Sequence, residues 1–201
     1  MMKNILISQR ITSDKFNQIH FSLENKWINY LEKKNVNILP IFTSSNNILN
    51  TFKEHKPKLV ILSGGSNDVF SNSKANVFRR KIDNQILKIC KENRIPILAV
   101  CYGFQYIARK FGGKLVKSKQ KPGVNHIINI KNRKRINVNS FHNYAVISLP
   151  KDFEIIGKHS DDTIEIAFNK KLRILCTMFH PERKNGSQNY INKILKKYLK
   201  L

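Results

Sequence analysis

The chain has 201 residues, 41% of them hydrophobic, a length at which one domain removes about 70% of its unfolded surface from water. With no run of ~18 apolar residues and no charged-then-apolar leader, the expectation is a single domain over residues 1–201, cytoplasmic and without a membrane partner. The net charge of +24 implies either an acidic partner or a lysine-rich composition; the lysines are spread over helices, loops and tail rather than gathered on one element with interleaved aromatics, so no nucleic-acid partner is expected.

In chain order, residues 3–8 read as an apolar opening strand that ends in Gln9-Arg10 and gives way to a polar loop. Leu23, Trp27, Tyr30 and Leu31 fall at helical spacing within residues 23–34. A second strand is expected at 36–41, a short helix at 47–55 and a third, buried strand at 58–62, stopped by Ser63-Gly64-Gly65-Ser66-Asn67-Asp68. Residues 69–76 form a polar loop, and 78–92 a helix that leads into the apolar run Ile97-Leu98-Ala99-Val100. Strand alternating with helix implies right-handed crossovers and a parallel sheet, in which ligands bind beyond the carboxyl ends of the strands. Arg10, Gly64-Gly65 and Cys101 all follow strands at that end.

Beyond Gly112-Gly113 the pattern turns to short strands at 114–116, 125–130, 135–139, 145–148, 153–158 and 163–168, with Gly, Pro and Asn turns between them. Residues 173–179 make the last strand and 188–199 an amphipathic closing helix, with Tyr190, Ile191, Ile194, Leu195 and Tyr198 as its apolar face. The fold class expected is α/β with a β-rich C-terminal half. Three cysteines without C-x-x-C spacing argue against a disulfide framework or structural zinc. Cys90 and Cys176 read as core residues, and no metal or organic cofactor is implied.

Cys101 is different because it sits where the buried strand ends and a helix begins. From Tyr102 onward, Phe104, Ile107, Ala108 and Phe111 share one helical face. A sharp strand–nucleophile–helix turn needs small residues two before and two after the nucleophile, and Ala99 and Gly103 supply them. The turn aims helix N-terminal amides at the sulfur, and a helix N-terminus or a neighbouring imidazolium lowers a thiol from ~8.5 to ~3.5–7.5.

The last strand delivers His180-Pro181-Glu182. Side chains two apart on extended chain point the same way, and Pro181 biases His180 toward extended geometry, so Glu182 can orient His180 as base in a Cys-His-acid arrangement. Gly64-Gly65 lets backbone amides approach a ligand closely; with the Tyr102 amide it could form an oxyanion hole, each donor worth roughly 2.7–4 kcal/mol in a transition state.

Together, Cys101-Tyr102-Gly103-Phe104-Gln105, His180-Pro181-Glu182 and Gly64-Gly65 resemble the class I glutamine amidotransferase-like hydrolases, over nearly the whole chain. Ile7-Ser8-Gln9-Arg10, Val138-Asn139-Ser140-Phe141-His142 and Ser160-Asp161-Asp162-Thr163-Ile164-Glu165 resemble the branch that cleaves γ-glutamyl amides other than glutamine. The resemblance implies a three-layer α/β fold with a flavodoxin-like, mainly parallel core. It implies Cys101 as nucleophile, His180 as base and acid, Glu182 as orienter, and the amides of Gly65 and Tyr102 as oxyanion hole. Gly64, Gln105, Asn139, Ser140 and Phe141 are expected to hold the glutamyl head.

Two departures from the family pattern stand out: Ala99 where the family usually has Gly, and Met178 where it often has Gln. More narrowly, the chain resembles the stand-alone hydrolases of γ-glutamyl-CDP-amidate in capsular phosphoramidate synthesis, which release glutamate and cytidine diphosphoramidate from CDP-glutamine. That resemblance implies a nucleotide-linked small-molecule substrate, with Arg10, Lys121, Arg183 and Lys184 as candidates for its phosphates. Rival readings are a glutaminase feeding ammonia to a synthase partner, a γ-glutamyl-aminobutyrate hydrolase and, from another class, a nucleic-acid binder driven by charge. His126 and His142 read as structural or substrate-facing, and His20, His55 and His159 as surface or turn residues.

Overall fold

The computed structural model describes residues 2–42, 47–65, 69–131 and 134–199; Ser66-Asn67-Asp68, the end of the expected glycine turn, lies outside them. Its first half alternates as expected: β1 (Lys3–Ile7), α1 (Asn25–Glu32), β4 (Val36–Pro40), α2 (Ile48–His55), β5 (Leu59–Leu62), α3 (Lys74–Asn93), β6 (Ile97–Val100) and α4 (Tyr102–Lys110), with β2 (Arg10–Ser13) and β3 (Ile19–Ser22) between β1 and α1. The second half runs β7 (Lys114–Lys117), β8 (Val124–Ile130), β9 (Lys134–Ser140), β10 (Tyr144–Ser148), β11 (Phe153–His159), β12 (Ile164–Asn169), β13 (Ile174–Thr177) and α5 (Gln188–Ile194), which passes into a π-helical turn at Leu195–Leu199.

One sheet unites both halves in the order β4-β1-β5-β6-β13-β12-β11-β8-β9, with β10 pairing β12 and β7. From β4 to β13 every pairing is parallel, and from β13 to β9 every pairing is antiparallel. This is the mainly parallel core with a β-rich C-terminal half that the residue pattern implied. The reason lies in the apolar runs. Leu59 to Leu62 and Ile97 to Val100 are buried throughout, because successive side chains enter opposite layers. Val60, Leu62, Ile97 and Ala99 join the layer of α2, α3 and α4. Leu59, Ile61, Leu98 and Val100 join Trp27, Leu31, Ile191 and Ile194 from α1 and α5.

Four boundaries differ from the sequence reading. The polar loop after Arg10 is instead a two-stranded hairpin, pairing Arg10 with Ser22 and Ser13 with Ile19, and it closes over α3 by seating Ile11 in the core beside Ile82 and Ile86. The loop expected at 69–76 ends early, because Ser73 caps α3 by accepting a hydrogen bond from the Asn76 amide at 3.3 Å. The last strand stops at Thr177, so His180 lies beyond it. The closing helix is α only as far as Ile194.

The carboxyl ends of β1, β5, β6 and β13 converge. Ser8 donates its amide to Ile61 O at 2.9 Å, Cys101 donates its own to Thr177 O at 2.8 Å, and Ser63 donates to Ser8 Oγ at 3.1 Å. The expected site residues gather at this edge.

Candidate active site

Cys101 stands between β6 and α4 with φ 51° and ψ −104°, a left-handed conformation that costs a non-glycine residue about 1–3 kcal/mol. Its neighbours hold it there: the amide is fixed by Thr177 O, and its carbonyl accepts from Gln105 N at 2.9 Å. Gly103 is obligatory at this corner, since a methyl group there would overlap the Leu62 carbonyl. Ala99, paired with Leu62 on one side and Cys176 on the other, is fully buried, so its methyl fits where the family more often has none.

His180 and Glu182 meet in a turn after β13 rather than as alternate residues of an extended strand, with His180 Nδ1 2.6 Å from Glu182 Oε1. Both are buried. Burial pulls the imidazole pKa down, but negative charge on the Cys101 sulfur, a hydrogen bond to that sulfur and the Glu182 carboxylate outweigh it and raise the value to about 10. At neutral pH this histidine is an imidazolium beside the Cys101 sulfur.

The glycine turn packs against both partners. A Cβ on Gly64 would stand 2.7 Å from His180 Cε1, and one on Gly65 would stand 2.8 Å from Tyr102 Cγ. Only glycine admits such approaches. Cys101, His180, Glu182, Gly64 and Gly65 share a cleft of about 510 Å³ with Arg10, Trp27, Phe141 and Arg183. A second cavity, of about 380 Å³ between α1, β1 and the C-terminal turn, has neither cysteine nor histidine in its lining.

The other expected residues divide. Phe141 and Arg10 line the cleft, and Tyr102 lies under Gly65. Gln105 is buried and donates to Tyr144 O at 2.9 Å. Asn139 is buried against the backbone of the 180–184 turn, and Ser140 is wholly buried. None of these three lines the cleft; they support its walls. Of the basic candidates, Arg183 lines the cleft with Arg10, whereas Lys121 and Lys184 are exposed outside its lining. His126 and His142 face Glu165 instead, their Nε2 atoms 3.5 and 3.9 Å from its carboxylate, and burial lowers the His142 pKa against the pull of Glu165. Among the described residues no group of three or more His, Cys, Asp or Glu is arranged to hold a metal ion, and no described helix is long and apolar enough to cross a membrane.

One residue escaped the sequence reading. Arg79, on α3 and 1% exposed, pairs with Asp83 through Nε at 2.8 and 2.9 Å. It also donates to Gln9 O at 2.5 Å, Ser8 Oγ at 2.8 Å and Ser63 O at 3.1 Å, and its guanidinium lies 5.2 Å from the centre of the Tyr102 ring. It thereby ties the ends of β1 and β5 to the glycine turn. Burial raises the Asp83 pKa, with Arg79 opposing. The signal was present: Arg79 and Asp83 are four apart on the face that carries Ala75, Ile82 and Ile86 into the core.

Residues 14–198 match the family model described as Glutamine amidotransferase class-I. The chain is 34% identical over 202 residues to the Gamma-glutamyl-CDP-amidate hydrolase of Campylobacter jejuni subsp. jejuni serotype O:2, covering 97% of this chain and 96% of that protein. It is 32% identical over 139 residues to the GMP synthase [glutamine-hydrolyzing] of Brachyspira hyodysenteriae, covering 65% of this chain but 25% of that enzyme. Among solved structures, a GMP synthase subunit protein of Thermoplasma acidophilum superposes with TM-score 0.71 at 21% identity, over 100% of this chain and 94% of that one. A glutamine amidotransferase of Thermotoga maritima gives 0.66 at 16% identity, over 98% and 86%.

Proposed function

Because the chain belongs to the glutamine amidotransferase class I family, we propose that it is a cysteine-dependent hydrolase of a γ-glutamyl amide, with CDP-glutamine as substrate and glutamate and cytidine diphosphoramidate as products, in the synthesis of capsular phosphoramidate. The observation that carries the reaction class is the elbow cysteine paired with a charged, Glu182-bonded His180 in one cleft.

Catalysis proceeds in two acyl transfers. The Cys101 thiolate attacks the γ-carbonyl carbon, and the oxygen takes the electron pair beside the amides of Gly65 and Tyr102. As the carbonyl re-forms, the C–N bond breaks and the His180 imidazolium gives its proton to the departing nitrogen. This leaves a γ-glutamyl thioester and a neutral imidazole. Water then attacks the thioester and loses a proton to His180; the C–S bond breaks, releasing glutamate and restoring the ion pair. No step draws on a cofactor.

The substrate reading is supported by the relative matched along almost its full length. A glutaminase supplying ammonia to a synthase is the second reading, favoured by the GMP synthase matches, of which the Brachyspira enzyme is covered over 25% of its length. Glutamate release by the purified chain alone, offered CDP-glutamine, glutamine and γ-glutamyl-aminobutyrate side by side, separates them. Preference for CDP-glutamine is expected. Preference for γ-glutamyl-aminobutyrate would move the protein to amine catabolism, and activity on glutamine that rises only with an added synthase would favour the ammonia reading.

A further inference from the structure

At its more exposed end the cleft holds an ion pair that the two acyl transfers do not use. Glu24 and Arg183 both line it. Arg183 Nε lies 3.1 and 3.0 Å from the two Glu24 carboxylate oxygens, and Nη2 lies 2.6 Å from Oε2. The guanidinium also stands 4.4 Å over the Phe141 ring, which in turn meets the His180 ring edge-on at 5.9 Å and 87°. Arg183 follows Glu182 directly, so its guanidinium is held within two contacts of the reacting histidine.

A capping hydrogen bond does not explain the position of the Glu24 side chain. Glu24 is the N-cap of α1, yet its side chain makes no capping hydrogen bond. A carboxylate is also scarce material here: the sequence has 13 acidic residues against 37 Lys and Arg. Its two oxygens meet the guanidinium as the oxygens of a phosphate would.

We propose that Glu24 is a built-in stand-in for an anionic leaving group and that Arg183 exchanges it for the diphosphate of the substrate, so that the pair selects γ-glutamyl amides whose leaving group carries phosphate. This rests on reading the cleft as a γ-glutamyl amide site. A neutral leaving group has nothing to offer Arg183 that Glu24 does not already supply, whereas a diphosphate brings more charge and more acceptor oxygens. Glu24 thus sets a threshold: it keeps Arg183 from trapping stray anions on a chain of +24, and selectivity arises as a difference between two occupants of one guanidinium.

The exchange makes a prediction of opposite sign for the two partners. Calorimetric titration with CDP, at about 0.15 M salt to suppress long-range attraction, is compared for the intact chain, Glu24→Gln, Arg183→Gln and Glu154→Gln. The last removes the same charge from the exposed Lys131–Glu154 pair on β11. Glu24→Gln is expected to tighten CDP binding about tenfold and Arg183→Gln to weaken it about tenfold, with Glu154→Gln unchanged. Weakening in both cleft variants, or no change in either, would overturn the proposal and make the pair a structural bridge between α1 and the 180–184 turn. A tightening by Glu154→Gln equal to that of Glu24→Gln would overturn it in favour of bulk charge. The reading on which it rests fails separately, if the intact chain shows no preference for CDP-glutamine over glutamine.

Discussion

Asn139 holds both backbone polar groups of His180: its carboxamide oxygen accepts the His180 amide at 2.9 Å, and its nitrogen donates to the His180 carbonyl at 2.9 Å and to Lys184 O at 3.0 Å. A residue expected to hold substrate is engaged in fixing the 180–184 turn. Asn139→Ala should therefore cost about 1–3 kcal/mol, because it leaves buried backbone groups unpaired. Its kinetic signature should be a lower kcat with KM little changed, since a contact to the glutamyl head would raise KM instead. Denaturant unfolding and steady-state kinetics on the same variant check both halves.

The His180–Glu182 pair predicts a pH profile. In the proposed mechanism the imidazolium is the acid of the first step; its pKa is raised to about 10, so activity should fall on the alkaline side as pH passes that region. Glu182→Gln removes the carboxylate charge and weakens the hydrogen bond that together raise the value, so the alkaline fall should move to lower pH. The loss at neutral pH should be smaller than for His180→Gln, where about 10²–10⁴-fold is expected. An alkaline limb that stays in place in Glu182→Gln would show that the carboxylate does not govern the proton.

Gly64→Ala and Gly103→Ala should separate activity from folding. The added methyl at 64 meets the His180 ring, which can shift, whereas at 103 it meets the Leu62 backbone carbonyl, which cannot. Gly103→Ala is therefore expected to lose about 1–3 kcal/mol of stability or more. Gly64→Ala should keep a near-normal Tm and lose turnover. Thermal unfolding beside glutamate release reads the contrast.

Arg79→Met leaves Asp83 buried without its partner and frees the ends of β1 and β5, so a loss of about 3–5 kcal/mol is expected. The double variant Arg79→Met, Asp83→Leu should recover much of that stability while activity stays low, because the glycine turn no longer has its tether. Recovery of both would reduce Arg79 to a core ion pair.

The elbow was legible because its determinants are local: four apolar residues, a cysteine, then Gly103 and a change of period. The parallel order followed from strands and helices alternating along the chain. What could not be read depends on residues distant in sequence. Asn139 acquires its role only because the end of β9 comes to rest against the 180–184 turn. The hairpin at 10–22 has mixed polar faces and is specified by packing Ile11 against α3, which no local pattern reveals. His180 and Glu182 do meet, but in a turn rather than on the expected strand, since β13 ends three residues before His180.

Whether Cys101 opens a γ-glutamyl amide bond is decided by glutamate release from CDP-glutamine, measured for the intact chain and for Cys101→Ala. Release by the first and none by the second is expected, with an unchanged Tm, since the substitution removes one sulfur atom at an 8% exposed position. Equal release by Cys101→Ala, or none by the intact chain, would contradict the mechanism.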